Sequence, residues 1–272
     1  MEPLNKKYNF LVPTKVENLK RLGRNGDGGY VVESNTVKES EILVTFGMGP
    51  DWSFELDYIK ENHKVKIFMY DYTVSSFPYI KSVWKYFRRY ITFRDKNNGL
   101  KNRIKYLNDY FSFFKLKNIN FYPEKITYPI KIKKDADINK VFERIDSDNS
   151  TKGKSIFLKS DIEGSEFEII DEILKYSNRI NALIFEFHWL DKNEEIFLES
   201  IKKLQEYFDI VHIHGNNHCG KLATGLPITL EMTLLTKKYI LGKKEFIKSF
   251  PRNDLDSPNN PYKEDLSFYF NI

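Results

Sequence analysis

The chain has 272 residues, 41% of them hydrophobic and 15% aromatic, which suits a globular fold with a sizeable core: one large α/β domain or two small ones. Its formal charge of +5 is mild and interspersed, so charge alone does not imply nucleic acid, and no apolar run approaches the roughly 20 residues of a membrane span. The N-terminus, MEPLNKKYNF, lacks the apolar centre of a signal peptide, and one cysteine, Cys219, excludes an internal disulfide framework; both features point to the cytoplasm.

Residues 1–41 precede the first core strand. Within them, residues 22–32 (LGRNGDGGYVV) form a glycine-rich turn feeding a short strand. This is either a plain hairpin turn or a loop lying over a ligand, with Asp27 or Tyr30 touching it. An apolar run follows at 42–46, then Gly47 and Gly49, helical character over 53–60, and a second apolar run at 65–70 ending in Asp71. Buried strand, glycine turn, helix and strand ending in an acid is the nucleotide-binding half of an α/β sheet. The glycines let backbone approach a ligand, and an acid at the next strand tip can accept both hydroxyl hydrogens of a ribose. The dinucleotide fingerprint needs a third glycine where Trp52 stands. That favours an adenosine ligand without a pyrophosphate over NAD.

Residues 75–117 read as helical, rich in aromatic and basic side chains, and longer than an ordinary crossover. Such a stretch is an amphipathic cap with a solvated basic face, a homodimer surface, or a basic wall facing an anionic substrate. Interleaved basic and aromatic residues also suit single-stranded nucleic acid. Residues 119–132 alternate as one or two strands, with Pro123 and Pro129 at edges or bends. A short helix at 137–145 and a surface loop at 146–153 lead to a buried strand at 155–160. A helix at 166–176, a strand at 182–187, a helix at 194–207 and a strand at 209–213 follow. The strand at 229–236 has no full helix before it, so it pairs antiparallel with its predecessor. The aromatic tail, 250–272, packs back. Together these elements predict one α/β domain over 1–272: a doubly wound, mostly parallel seven-stranded sheet with an antiparallel closing strand and a helical insertion at 75–117.

Ligands of open α/β sheets bind beyond the carboxyl ends of the strands. Those ends carry Gly47 and Gly49, then Asp71, then Asp161 and Glu163, then Glu186 and His188, then His214, Asn216 and Asn217. Asp161 and Glu163 also suit the N-terminus of the following helix, and either histidine also reads as a structural one. Acids, imidazoles and amides nevertheless gather on one rim.

The segment Lys159-Ser160-Asp161-Ile162-Glu163-Gly164-Ser165-Glu166 resembles the K-x-D-x-E-G-x-E motif of FkbM-type O-methyltransferases, and Phe46–Glu55 resembles their cofactor turn. The Arg-Asn-Gly-Asp-Gly-Gly-Tyr, Glu-Phe-His and His-Ile-His-Gly-Asn-Asn segments resemble a bacterial branch that modifies surface-glycan sugars. The resemblance spans about residues 20–270 and departs at Pro50, where many methyltransferases carry a small residue. It implies a class I methyltransferase sheet and transfer of a methyl group from S-adenosylmethionine to a hydroxyl of a nucleotide-linked or capsular sugar. Gly47 and Gly49 would border the methionine end, Asp71 would hold the ribose, and Tyr30 and Asp161 would adjoin the cofactor. His188 or His214, with Asp161, would serve as base, and Glu163, Asn216 and Asn217 would meet the substrate. Alternatively Asp161, Glu163 and His188 would bind Mg²⁺ or Mn²⁺. The competing readings are a dinucleotide enzyme, disfavoured by the missing glycine, a nucleic-acid methyltransferase using 75–117, and a non-catalytic glycan-assembly module. No stable nucleic-acid partner is expected.

Overall fold

A computed structural model describes residues 3–95, 97–240 and 242–272. After a 3-10 turn at Lys6–Leu11 come a hairpin of β1 (Leu19–Leu22) and β2 (Tyr30–Glu33), then helix α1 (Ser34–Glu39). The chain continues through β3 (Ile42–Phe46), α2 (Ser53–Glu61), β4 (Lys66–Tyr70), a helical hairpin of α3 (Phe77–Ile91) and α4 (Gly99–Phe114), and β5 (Ile119–Tyr122). Two short strands, β6 (Lys125–Ile126) and β7 (Asp135–Ala136), pair with each other before α5 (Ile138–Ser147). The second half runs β8 (Ile156–Ser160), α6 (Glu166–Leu174), β9 (Ile180–Phe187), α7 (Leu190–Gln205), β10 (Phe208–Gly215) and β11 (Leu230–Thr236). A last pair, β12 (Ser249–Phe250) and β13 (Phe268–Tyr269), folds the tail back on the body.

Seven strands form one sheet in the order β10-β11-β9-β8-β3-β4-β5. All neighbours are parallel except β11, which runs antiparallel between β9 and β10. This is the doubly wound, class I methyltransferase-like layout predicted above, with the antiparallel strand seated inside the sheet. The central strands β3, β8 and β9 are buried along their whole length, as expected where helices cover both faces. On one face α5, α6 and α7 pack, the last two burying Ile169, Ile173, Phe197 and Ile201. The N-terminal Tyr8 and the tail residues Phe268 and Phe270 complete that layer. The other face is covered by the first hairpin, α1 and α2, and by Tyr110 and Phe113 of α4. Helix α5 shows how directly sequence sets this packing. Ile138, Val141, Phe142 and Ile145 recur at helical spacing and are all buried, and Asp137 caps the helix by accepting from the Lys140 amide at 2.8 Å.

The stretch 75–117 resolves into the α3–α4 hairpin, inserted between β4 and β5. Trp52 anchors it. Its indole stacks on Phe113 at 5.3 Å and meets Tyr79, Tyr110 and Phe114. The residue occupying the place of a third glycine is therefore the docking point for the insertion, a job that needs a large aromatic. Within 119–132 only Ile119–Tyr122 joins the main sheet.

Candidate functional site

A cavity of about 770 Å³ opens at the carboxyl ends of the strands, within the range of small-molecule sites. Gly47–Pro50 after β3, Asp71 to Thr73 after β4, and Glu124 to Ile126 line one part. Asp161 to Glu163 after β8, Glu186 and His188 at the end of β9, Trp189 and Asn216 line another.

The glycine turn is shaped by close approach. Gly47 sits at φ +68°, and a Cβ there would lie 1.6 Å from the carbonyl oxygen of Asp161, so only glycine fits. Gly49, at φ +58°, has nothing within 4 Å of where a Cβ would be; it borders open space. Below the turn, the buried Lys159 ammonium lies over the Tyr30 ring at 4.7 Å, near Phe54, and reaches the Gly47 carbonyl at 3.4 Å. The lysine of the motif thus braces the turn from beneath. Asp71 braces it from the side. Its Oδ2 accepts from the amides of Met48 at 3.1 Å and Gly49 at 2.8 Å, and its Oδ1 accepts from the amide and hydroxyl of Thr73 at 2.7 and 2.6 Å. The carboxylate predicted to take a ribose is already bonded within the protein through both oxygens.

The charged part of the cavity centres on His188. Its Nδ1 pairs with Glu166 Oε1 at 2.9 Å, which fixes the ring. Glu166 opens α6, where a negative charge near the helix N-terminus is favourable, and its Oε1 also accepts from the Ile162 amide at 3.2 Å. His188 Nε2 points at Asp161 Oδ1, Glu163 Oε2 and Glu186 Oε1, at 3.8, 3.7 and 3.8 Å. The Tyr30 hydroxyl stands between Asp161 Oδ2 at 2.9 Å and Glu186 Oε2 at 3.0 Å, and the Asn216 amide donates to Glu186 Oε1 at 2.8 Å. Burial pushes the Asp161 carboxyl up to about 6 although the Lys159 and His188 charges pull it down. Burial, followed by the charges of Asp161 and Glu231, drives Glu186 well above the usual carboxylate range. Burial works against a charged His188, but the hydrogen bond and charge of Glu166 and the charges of Glu186 and Asp161 outweigh it and hold the ring at about 10.

The structure redistributes several predicted roles. Glu163 adopts a left-handed φ of 54°, and its side chain, though near His188, is 75% exposed at the cavity rim. Among the described residues the set of mutually close donors, within 4.8 Å of one another, is Asp161, Glu186 and His188, so Glu186 stands where Glu163 was expected as a ligand. Tyr30 is buried behind the two carboxylates, whereas Asp27 lines the cavity. His214 lies fully buried away from it, between Glu231 at 3.2 Å through Nδ1 and Asp265 at 3.0 Å through Nε2. Both nitrogens are engaged, so His214 is a tie between β10 and the tail and has no free face for a base. Asn217 likewise holds the tail: its amide donates to the carbonyls of Asn260, Lys263 and Glu264, and its oxygen accepts from the Asn260 amide. The sequence reading put Glu186 on the rim but gave it no part in the cluster, and it missed Glu166, the buried group that orients His188, and Trp189 in the cavity wall. A signal for Glu186 existed, since residues two apart on a strand share a face and Glu186 precedes His188 by two. Trp189, at φ 52°, packs over Gly164, where a Cβ would come 2.5 Å from its ring.

No known protein family matches the sequence, and no curated protein matches it. Solved structures share parts of the shape. A precorrin-6y C5,15-methyltransferase of Geobacter metallireducens aligns at 12% identity over 75% of this chain and 86% of its own, with a TM-score of 0.36. A fibrillarin pre-rRNA processing protein of Methanococcus jannaschii aligns at 12% identity over 74% and 68%, with a TM-score of 0.39. A putative caffeoyl-CoA O-methyltransferase of Staphylococcus aureus aligns at 9% identity over 73% and 77%, with a TM-score of 0.31.

Proposed function

We propose that this protein is an S-adenosylmethionine-dependent O-methyltransferase acting on a sugar hydroxyl, in a nucleotide-linked or surface-glycan sugar. The observation that carries the reading is that one cavity is lined both by a glycine turn with an acid on the next strand and by a carboxylate–histidine cluster at neighbouring strand ends. The open space beside Gly49 suits a cofactor lying along the turn. When bound, S-adenosylmethionine supplies a methyl group that an oxygen nucleophile takes in line as the carbon–sulfur bond breaks toward sulfur.

The residues of the chain then have to position an alcohol and remove its proton. At neutral pH the carboxylate of Asp161 is the better acceptor of that proton, because three neighbouring carboxylates keep His188 charged. His188, locked by Glu166, orients Asp161 and Glu186. Trp189, 46% exposed at the rim, offers an apolar ring face for the sugar, and Asn216 and Glu163 offer polar contacts.

A second reading is favoured by the donor set. Asp161, Glu186 and His188 present oxygen and nitrogen ligands within 4.8 Å of one another, and Glu166 holds the remote nitrogen of His188 as an outer carboxylate does for many metal-bound histidines. These residues fit Mg²⁺ or Mn²⁺, which would lower the pKa of the acceptor hydroxyl.

Calorimetric titration with S-adenosylhomocysteine, with and without Mg²⁺ or Mn²⁺ and with NAD as control, tests the proposal. Micromolar binding of S-adenosylhomocysteine, followed by labelled methyl transfer to a sugar-nucleotide panel, supports it. Binding of NAD instead, or of neither ligand, removes it. Binding that strengthens with metal selects the second reading.

A further inference from the structure

Helix α3 is the one long helix of this fold that buries nothing among the described residues. One of its faces rests on the rest of the protein: Tyr79 packs on Tyr110 at 5.1 Å, and Tyr86 lies under the Arg103 guanidinium of α4 at 4.9 Å. A second face carries Phe77, Ile80, Trp84, Phe87 and Ile91, spaced three, four, three and four residues apart. All five are exposed, Trp84 by 62%, and Phe93 just beyond the helix is exposed by 98%. This is a continuous apolar stripe with no protein partner. Lys81 and Arg88 follow Phe77 and Trp84 by one helical turn and border the stripe, with Lys85 and Arg89 behind them. Residues 77–94 contain five basic side chains, Arg94 being the fifth, and no acidic one.

We propose that α3 is an in-plane membrane anchor that lays this stripe into the surface of an anionic lipid bilayer. An amphipathic helix with Trp and Phe on one face and Lys and Arg beside them binds the interfacial region of a bilayer in this way. The rings sit at headgroup level, and the long basic side chains reach the lipid phosphates. No helix among the described residues is long and apolar enough to cross a membrane, so the attachment is to the surface. Charge decides against a second copy of the chain as the occupant. A twofold pairing of two stripes would bring the bordering Lys81 and Arg88 of both copies along one seam with no acid in 77–94 to answer them. Ile80 and Ile91 in the stripe suit hydrocarbon better than the stacked bases of single-stranded RNA. The anchor is independent of methyl transfer and is read without turnover.

The experiment is co-sedimentation of the full chain with vesicles of phosphatidylcholine containing phosphatidylglycerol, and with phosphatidylcholine alone, across a salt series. The expected result is binding to the anionic vesicles that weakens with salt. The W84E/F87E variant should lose at least about ten-fold in partitioning, as should K81E/R88E. Neither pair is buried, so both variants should keep the wild-type circular dichroism spectrum. Absence of vesicle binding by the wild-type chain overturns the proposal, as does equal binding by W84E/F87E. A sedimenting dimer that W84E/F87E converts to monomer assigns the stripe to a second copy and overturns it too. So does single-stranded RNA that displaces the chain from vesicles through the same residues.

Discussion

His188 and His214 both stand at the carboxyl ends of buried strands, both lie between carboxylates, and both are held at about 10. One faces a cavity and the other faces nothing but protein. The difference arises from what crosses each strand end. Beyond β9 the chain turns sharply at Trp189 into α7, leaving His188 Nε2 directed at the cavity. Beyond β10, residues 256–265 of the tail fold across the strand, and Asp265 takes the ring nitrogen that would otherwise be free. Strand β11 lies between them and places Glu231 opposite Glu186 on one side and His214 on the other. The same imidazole–carboxylate arrangement thus lines a cavity or is wholly enclosed according to whether one ring atom keeps a view of the cavity.

Removing the proposed proton acceptor tests the open side of this pair. Asp161→Asn keeps the shape and the hydrogen bond from Tyr30 but cannot accept a proton in the same way. Methyl transfer should fall by about 10²–10⁴-fold, with cofactor binding largely retained. Transfer within ten-fold of wild type, measured with saturating cofactor, would move the base elsewhere in the cluster.

The closed side should respond in stability. His214→Gln leaves Glu231 and Asp265 without their shared cation, and chemical denaturation should show a loss of about 3–5 kcal/mol near neutral pH, the range for breaking a buried pair. Burial disfavours the charged ring, but the Glu231 charge and the hydrogen bonds to Asp265 and Glu231 outweigh that and raise His214 from 6.5 to about 10. A raised histidine stabilises the fold fully below its unfolded value, so its contribution is complete below about 6.5 and is lost as pH rises through about 10. The gap between wild type and variant should therefore be widest near pH 6 and narrow steadily toward pH 10. A gap that widens with pH would mean that His214 is neutral in the folded protein.

Which histidine was which could not be read in the sequence. Both follow apolar runs, and the run pattern locates strand ends well: Asp71, Asp161, His188 and His214 all lie where alternating and apolar segments placed them. What decides their roles is contact across long sequence distances. Asp265 reaches His214 from 51 residues away, and Tyr30 reaches Asp161 from 131 and Glu186 from 156. No local period reports such contacts. Backbone conformation was equally hidden: nothing in the spacing of Asp161 and Glu163 shows that Glu163 takes a left-handed φ of 54°. The stretch that holds α3, by contrast, was legible as helical and amphipathic, but the lack of a partner for its apolar stripe was not, because burial is a property of the assembled fold. Trp52 shows the converse case. As a break in a glycine pattern it argued about the ligand, and in the fold it also holds the insertion.

Asp71 is the intermediate case that sharpens the comparison. Like His188 it lines the cavity, and like His214, which is bonded through both ring nitrogens, it is bonded within the protein through both of its polar atoms. If the carboxylate only shapes the turn, Asp71→Asn should lower stability and cofactor affinity together, because an amide can accept from Met48 and Gly49 but its NH₂ group opposes the Thr73 amide. If a ribose hydroxyl replaces the Thr73 hydroxyl at Oδ1 when the cofactor binds, Thr73→Val should leave affinity unchanged or better, whereas Asp71→Asn should weaken S-adenosylhomocysteine binding by about 1–3 kcal/mol. The second outcome is expected, since a threonine hydroxyl two residues away is a local partner that a ligand hydroxyl can displace at little cost, while the two turn amides remain bound to Oδ2. Equal loss of affinity in Asp71→Asn and Thr73→Val would show that the bonds to Thr73 are retained in the complex and that Asp71 belongs with His214, as a structural tie that happens to border the cavity.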